Sequence, residues 1–159
     1  MTHNQSSFIV VVKRECPTCL IMVPVIKQLL QAGKQIEIYC QDDESFHDEI
    51  EFIHHDVDLE HSFRYDVEYV PTLIRKEHEH ETGRVFGWNR EEWERLTGVE
   101  PLAKDLPENQ PGCGSKSVEP GVMEQLQARF GAVPMRSRKI EFSPWDDPVE
   151  LAYTRGWTD

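Results

Sequence analysis

Basic charge is scarce in this sequence. Lysine and arginine together number 17 against 29 aspartates and glutamates, a net charge of −12 over 159 residues. A surface of that sign offers no basic patch to a phosphate backbone, so nucleic acid is not an expected partner, and anionic membrane surfaces are disfavoured too. Long apolar runs are also missing. The longest, residues 8–12 and 20–26, fall far short of the roughly 20 residues that a spanning helix needs. The opening stretch 1–7 is polar, and the apolar run after it is cut by Lys13-Arg14-Glu15. That is not the pattern of a secretory leader, and a cytoplasmic setting is expected. Cysteine is sparse: of four, Cys16 and Cys19 form a C-x-x-C pair while Cys40 and Cys113 stand alone. Such a set is no disulfide framework, and in a reducing compartment it points to redox or metal chemistry. The 38% hydrophobic and 29% charged content is that of a soluble globular protein. The length fits a domain over 1–100 with an extension over 101–159.

Hydrophobic patterning supplies the elements. Residues 8–12, Phe-Ile-Val-Val-Val, read as a strand buried on both faces. After the cysteine pair, Leu20, Val23, Ile26 and Leu30 keep helical spacing until Gly33, with Pro17 suited to the first helical position and Pro24 expected to kink the helix. Residues 35–40 alternate as a second strand. The acidic stretch 41–58 is difficult, with Phe46, Ile50 and Ile53 able to line a short helix, and 59–65 reads as another. Val70-Pro71-Thr72 leads into a strand over 73–77, Glu81-Thr82-Gly83 supplies a turn, and 84–87 returns as its partner. Asn89 caps a helix over 90–96, with Gly98 just beyond it. A helical crossover makes the first two strands parallel neighbours, and the turn makes the last two antiparallel, so the expected fold is α/β, a small mixed sheet flanked by helices on both faces.

Past residue 100 the texture changes. Prolines and glycines make 101–117 a predicted linker, a helix is expected over 118–130, and Asp147-Pro148 could open another. Trp145, Leu151, Tyr153 and Trp157 are too apolar for a free tail, so this partly helical extension is expected to dock. Docking in cis and a homodimer built through the extension both remain open.

A C-x-x-C pair between a buried strand and a helix has a specific use. The first thiol sits where unpaired helical N–H groups favour a thiolate, and the second lies one turn further in, able to attack a mixed disulfide. Cys16 is then the attacking thiol, expected to be the more acidic and more exposed of the two, and Cys19 the shielded, resolving one. A zinc pair is the alternative, but His54-His55 and His78/His80 lack the spacing of a second ligand pair, so no metal site is assigned. Cys40 reads as a small apolar residue of its strand. Cys113, between Gly112 and Gly114, is either an incidental loop cysteine or a third thiol able to reach the pair.

The run 8–12, Cys16-Pro17-Thr18-Cys19, Pro24, Val70-Pro71-Thr72 and the spacing from Pro71 to Gly87-Trp88 together resemble the thioredoxin superfamily across residues 8–98. The resemblance implies a thioredoxin-like fold and a cofactor-free thiol–disulfide oxidoreductase working with an upstream thiol reductant. It also implies a cis Val70–Pro71 bond beside the cysteines, which makes Pro17, Thr18, Val70 and Pro71 candidates for binding an extended substrate. The sequence departs from the family's pattern in two places. Glu15 stands where many members carry tryptophan, and Val10 where many bury the aspartate that handles the second cysteine's proton. These departures favour a dedicated protein or small disulfide partner over general reductase activity. They also keep open a second class of function, a thioredoxin-like adaptor that docks one partner through its tail.

Overall fold

The computed structural model of the protein describes residues 6–43 and 46–131. β1 (Ser7–Val12) is the central strand, and its β-branched run is buried on both faces. Two short helices follow, α1 (Pro17–Ile21) and α2 (Val23–Gln31). Where a single kinked helix was expected, the chain breaks at Met22, and Pro24 lies in the first turn of α2, where its missing N–H has no helical partner to lose. Gly33, at φ 85°, ends α2 and turns the chain into β2 (Gln35–Cys40), parallel to β1.

Among the described residues of 41–58 there is no helix. Phe46 and Ile50 are buried in a loop that leads to β3 (Ile53–His55), a short strand parallel to β2. Its two histidines are exposed, so this edge strand carries almost no apolar signal. α3 (Glu60–Arg64) comes next; buried Asp56 accepts from the backbone N–H groups of His61 and Ser62 at its start. β4 (Tyr69–Val70) leads through Pro71 into β5 (Thr72–Glu77), which lies antiparallel to β1 and pairs with β6 (His80–Phe86). The turn of this hairpin is His78-Glu79, both at positive φ, rather than the glycine-bearing triplet expected. Gly83 lies within β6, opposite Arg75, where a Cβ would stand 2.6 Å from the Leu96 side chain. The main sheet has the order β3-β2-β1-β5-β6. β7 (Trp88–Asn89) runs into α4 (Arg90–Thr97), capped by the Asn89 side chain as expected and closed by Gly98.

The predicted linker is bound to the domain along its length. Leu102 is 0% exposed in the main core. Arg90 donates to the carbonyls of Leu102, Ala103 and Leu106, the Trp88 indole to that of Pro107, and Gln28 both donates to Pro101 and accepts from Ala103. β8 (Asn109–Gln110) pairs with β7, and β9 (Cys113–Gly114) pairs with β4. Proline and glycine prevent a long hydrogen-bonded ladder here, but they leave carbonyls free for side-chain donors, and these hold the segment. After a 3₁₀ turn at Lys116–Val118, α5 (Val122–Phe130) starts later than predicted because Pro120-Gly121 precedes it, and it seats Leu126 against Leu59 and Phe63. The aromatic tail residues Trp145, Leu151, Tyr153 and Trp157, and the helix expected from Asp147-Pro148, lie outside the described residues.

Candidate active site

The cysteine pair sits where β1 hands the chain to α1. Asp42, just past the end of β2, fixes the turn between them. Its carboxylate accepts from the N–H groups of Arg14 (2.7 Å) and Glu15 (3.0 Å), and it also accepts from the Cys40 thiol. Cys16 therefore meets α1 in extended geometry as its N-cap, with Pro17 as first helical residue, and the Cys19 N–H donates to Cys16 Sγ at 3.3 Å. The Lys13 N–H donates to Cys19 Sγ at 3.4 Å from the other side.

The two thiols are held in opposite ionisation states. Hydrogen bonding from the Cys19 side chain does most to favour the Cys16 thiolate; burial opposes it, and Cys113 with the N–H groups of Cys19 and Thr18 adds support, so that Cys16 falls to about 5. Cys19 is pushed far up, first by burial, then by its side-chain hydrogen bond to Cys16 and by the negative charge there. No carboxylate is among the groups that set Cys19, and the nearby strand position 10 is an apolar, fully buried valine. The surroundings thus favour a thiolate at Cys16 and a protonated thiol at Cys19 near neutral pH.

Of the predicted substrate contacts, Val70 and Pro71 lie where expected. Their peptide bond is cis, Pro71 is buried, and the Cys16 sulfur stands 3.8 Å from the Val70 carbonyl oxygen. Thr18 is nearby but engaged by the chain itself: its hydroxyl donates to the Pro111 carbonyl at 2.6 Å and accepts from the Gln110 amide at 3.0 Å. Pro17 alone among the six candidate residues is exposed.

The expectation that Cys16 is the exposed thiol is corrected. Cys16 and Cys19 are both 0% exposed, because residues 110–114 cross over the pair. Val70 pairs antiparallel with Cys113 and Tyr69 with Gly114, and Lys13 Nζ donates to the Gly114 carbonyl at 2.9 Å. Gly112 allows the close approach, since a Cβ there would lie 2.3 Å from the Val70 oxygen. Further along, Ser115 and Ser117 are buried, and Gln41 ties them in. Its amide donates to Ser115 and Ser62 and accepts from the Lys116 N–H.

Sequence reasoning missed Asp42, Gln41 and Gly112, along with a half-exposed aromatic pair, Tyr69 and Phe86, whose rings meet edge-on at 5.3 Å beside β4. Only Gly112-Cys113-Gly114 carried a readable signal, two glycines around a cysteine.

Among solved structures the chain is similar to a secreted Mycobacterium tuberculosis disulfide oxidoreductase homologous to E. coli DsbE. The two are 16% identical, with a TM-score of 0.50 over 60% of this chain and 82% of that one. No protein-family model matches the chain, and no curated protein sequence does. The structural likeness establishes the thioredoxin-like fold.

Proposed function

We propose that this chain of thioredoxin-like fold is a thiol–disulfide oxidoreductase, with Cys16 as its attacking thiol and Cys19 as its partner in the Cys-Pro-Thr-Cys pair. The observation that carries the reading is the contact from the Cys19 N–H to Cys16 Sγ at 3.3 Å, within a site that leaves Cys16 ionised and Cys19 protonated. In the reaction the Cys16 thiolate attacks one sulfur of a substrate disulfide. A Cys16–substrate bond forms, the substrate S–S bond breaks, and the second substrate sulfur leaves as thiolate. Attack of a second protein thiol on Cys16 Sγ then frees the first substrate sulfur, and an upstream thiol reductant restores the dithiol.

The substrate is a protein or small disulfide admitted beside Val70–Pro71, with Tyr69 and Phe86 as an aromatic rim for it. The cytoplasmic setting expected from the sequence belongs to the same proposal; the solved neighbour is described as secreted. Fractionation of the native host decides the compartment. The chemistry is tested by reduction of a generic protein disulfide with dithiothreitol as donor. Activity above background that disappears in Cys16→Ser is the expected result; equal rates with and without Cys16 refute the reading.

A second reading, an adaptor that docks one partner with redox chemistry secondary, is favoured by one observation: the nucleophile is covered by its own chain. Turnover no faster than dithiothreitol alone, together with tight capture of one partner by Cys16→Ser, would select it.

A further inference from the structure

The segment over the cysteine pair has the form of a bound peptide. An extended chain that adds to an exposed two-residue edge uses main-chain hydrogen bonds for affinity and its side chains for specificity. β9 does this on β4: Cys113 lies opposite Val70, the residue whose carbonyl oxygen is 3.8 Å from Cys16 Sγ. Pro111 and Gln110 occupy the Thr18 hydroxyl, Lys13 takes the Gly114 carbonyl, and Gly112 rests on the Val70 oxygen. The residue that this internal strand brings to the nucleophile is itself a thiol. We propose that Cys113 is a third redox-active cysteine, carried by residues 109–114 acting as an internal substrate strand, and that it resolves the mixed disulfide formed on Cys16.

The step balances without a further oxidant. The segment lifts to admit substrate, and Cys16 attacks the substrate disulfide as above. On return of the strand, the Cys113 thiolate attacks Cys16 Sγ. A Cys16–Cys113 disulfide forms, the Cys16–substrate bond breaks, and the departing substrate thiolate takes up a proton in place of the one Cys113 released. Cys19 can then attack Cys16 Sγ and release Cys113, or the upstream dithiol can reduce the Cys16–Cys113 bond directly.

Three observations favour Cys113 over Cys19 for the first resolving attack. Cys113 is half-buried where Cys19 is fully buried. The Cys16 thiolate, which raises both thiols after burial does, is gone once Cys16 enters a disulfide, and the burial that then remains is the deeper for Cys19. Lys13, whose ammonium binds Gly114, favours the Cys113 thiolate. Returning the strand also displaces a peptide substrate from the same Val70 backbone, so release of thiol and release of chain are one event.

The inference rests on the thiol chemistry of Cys16 proposed above, and the experiment separates the two. The full-length Cys19→Ser and Cys19→Ser/Cys113→Ser proteins are treated with a modest excess of oxidised glutathione at pH about 7 and mapped by non-reducing peptide mass spectrometry. The expected result is a Cys16–Cys113 linkage with no retained glutathione in the single variant, and one glutathionyl group held on Cys16 in the double variant. Glutathione retained on Cys16 of the single variant, with Cys113 still open to alkylation, overturns the proposal and leaves the nucleophile standing. A double variant that takes up no glutathione, with a single variant that shows neither glutathione nor a Cys16–Cys113 linkage, removes both. Adding Gly112→Ala to Cys19→Ser should crowd the strand off Val70 and slow resolution by at least about tenfold through lost proximity, while the first glutathionylation becomes faster. An unchanged resolution rate refutes the strand's part in it.

Discussion

A single turn of chain gives two identical side chains opposite properties. Cys16 and Cys19 differ in what faces them. Cys16 receives hydrogen bonds from Cys19 and is lowered to about 5, while burial holds the Cys19 proton in place. The sign of the pH dependence follows from this. Cys16 is an acid whose folded value lies below its ordinary 9.0, so the stability it contributes is complete above the unfolded value and lost as pH falls through about 5. Cys19, Cys40 and Cys113 are raised, so they oppose stability only above the ordinary value and leave the window between to Cys16. The stability of the reduced protein relative to Cys16→Ser should therefore grow from pH 5 toward 9 in urea titrations. The ultraviolet absorbance of the thiolate should titrate with a midpoint near 5 and vanish in Cys16→Ser. Gln41 is the second residue with an outsized effect. Gln41→Leu keeps the volume but strips partners from the Ser62 and Ser115 hydroxyls and the Lys116 N–H. A loss of about 1–3 kcal/mol in denaturant midpoint experiments is expected.

At the scale of elements, local signals were decisive where one face of one element was at stake. The all-apolar strand β1, the Asn89 cap and the Gly33 and Gly98 stops lie where the sequence put them, because a cap or a stop is satisfied by backbone within a few residues. Asn89→Ala should cost about 1 kcal/mol by removing the acceptor of the Glu92 N–H, with no change in Cys16 titration. Thermal and urea unfolding would measure the first and thiolate absorbance the second. Two of the differences share a source. β3 is an exposed edge whose hydrogen bonds come from β2, and Gly83, read as a turn residue, lies within β6 opposite Arg75 with Leu96 of α4 over it. In both cases the partner lies elsewhere in the chain.

The described residues build a five-stranded mixed sheet whose cysteine-bearing end is finished by residues far along the chain. Residues 101–117 fill the core with Leu102, occupy Gln28, Arg90 and Gln41, and pair with both β7 and β4. Ending the chain after residue 100 should therefore lower stability by at least about 2 kcal/mol, the usual consequence of losing one buried leucine, and should raise the alkylation rate of Cys16. Circular dichroism melts and timed alkylation with peptide mapping check the two halves of this expectation. An equally stable fragment with an equally slow Cys16 would mean that the segment contributes neither packing nor cover.

The sequence by itself determined the strand–turn–helix that carries Cys16 and Cys19, the parallel β1–β2 pair, the antiparallel β5–β6 hairpin, and the chemistry two thiols at that spacing can perform. Each of these follows from periodicity, capping and side-chain type, which act over a few residues. Tertiary structure alone decided that Thr18 faces Gln110 and Pro111, that Val70 already has a strand on it, and that Cys16 is covered. The prolines and glycines of 101–117 announced only that no regular element would form there. Where such a segment goes depends on which distant carbonyls, amides and guanidinium groups can satisfy it, and that pairing exists only once the rest of the chain has folded.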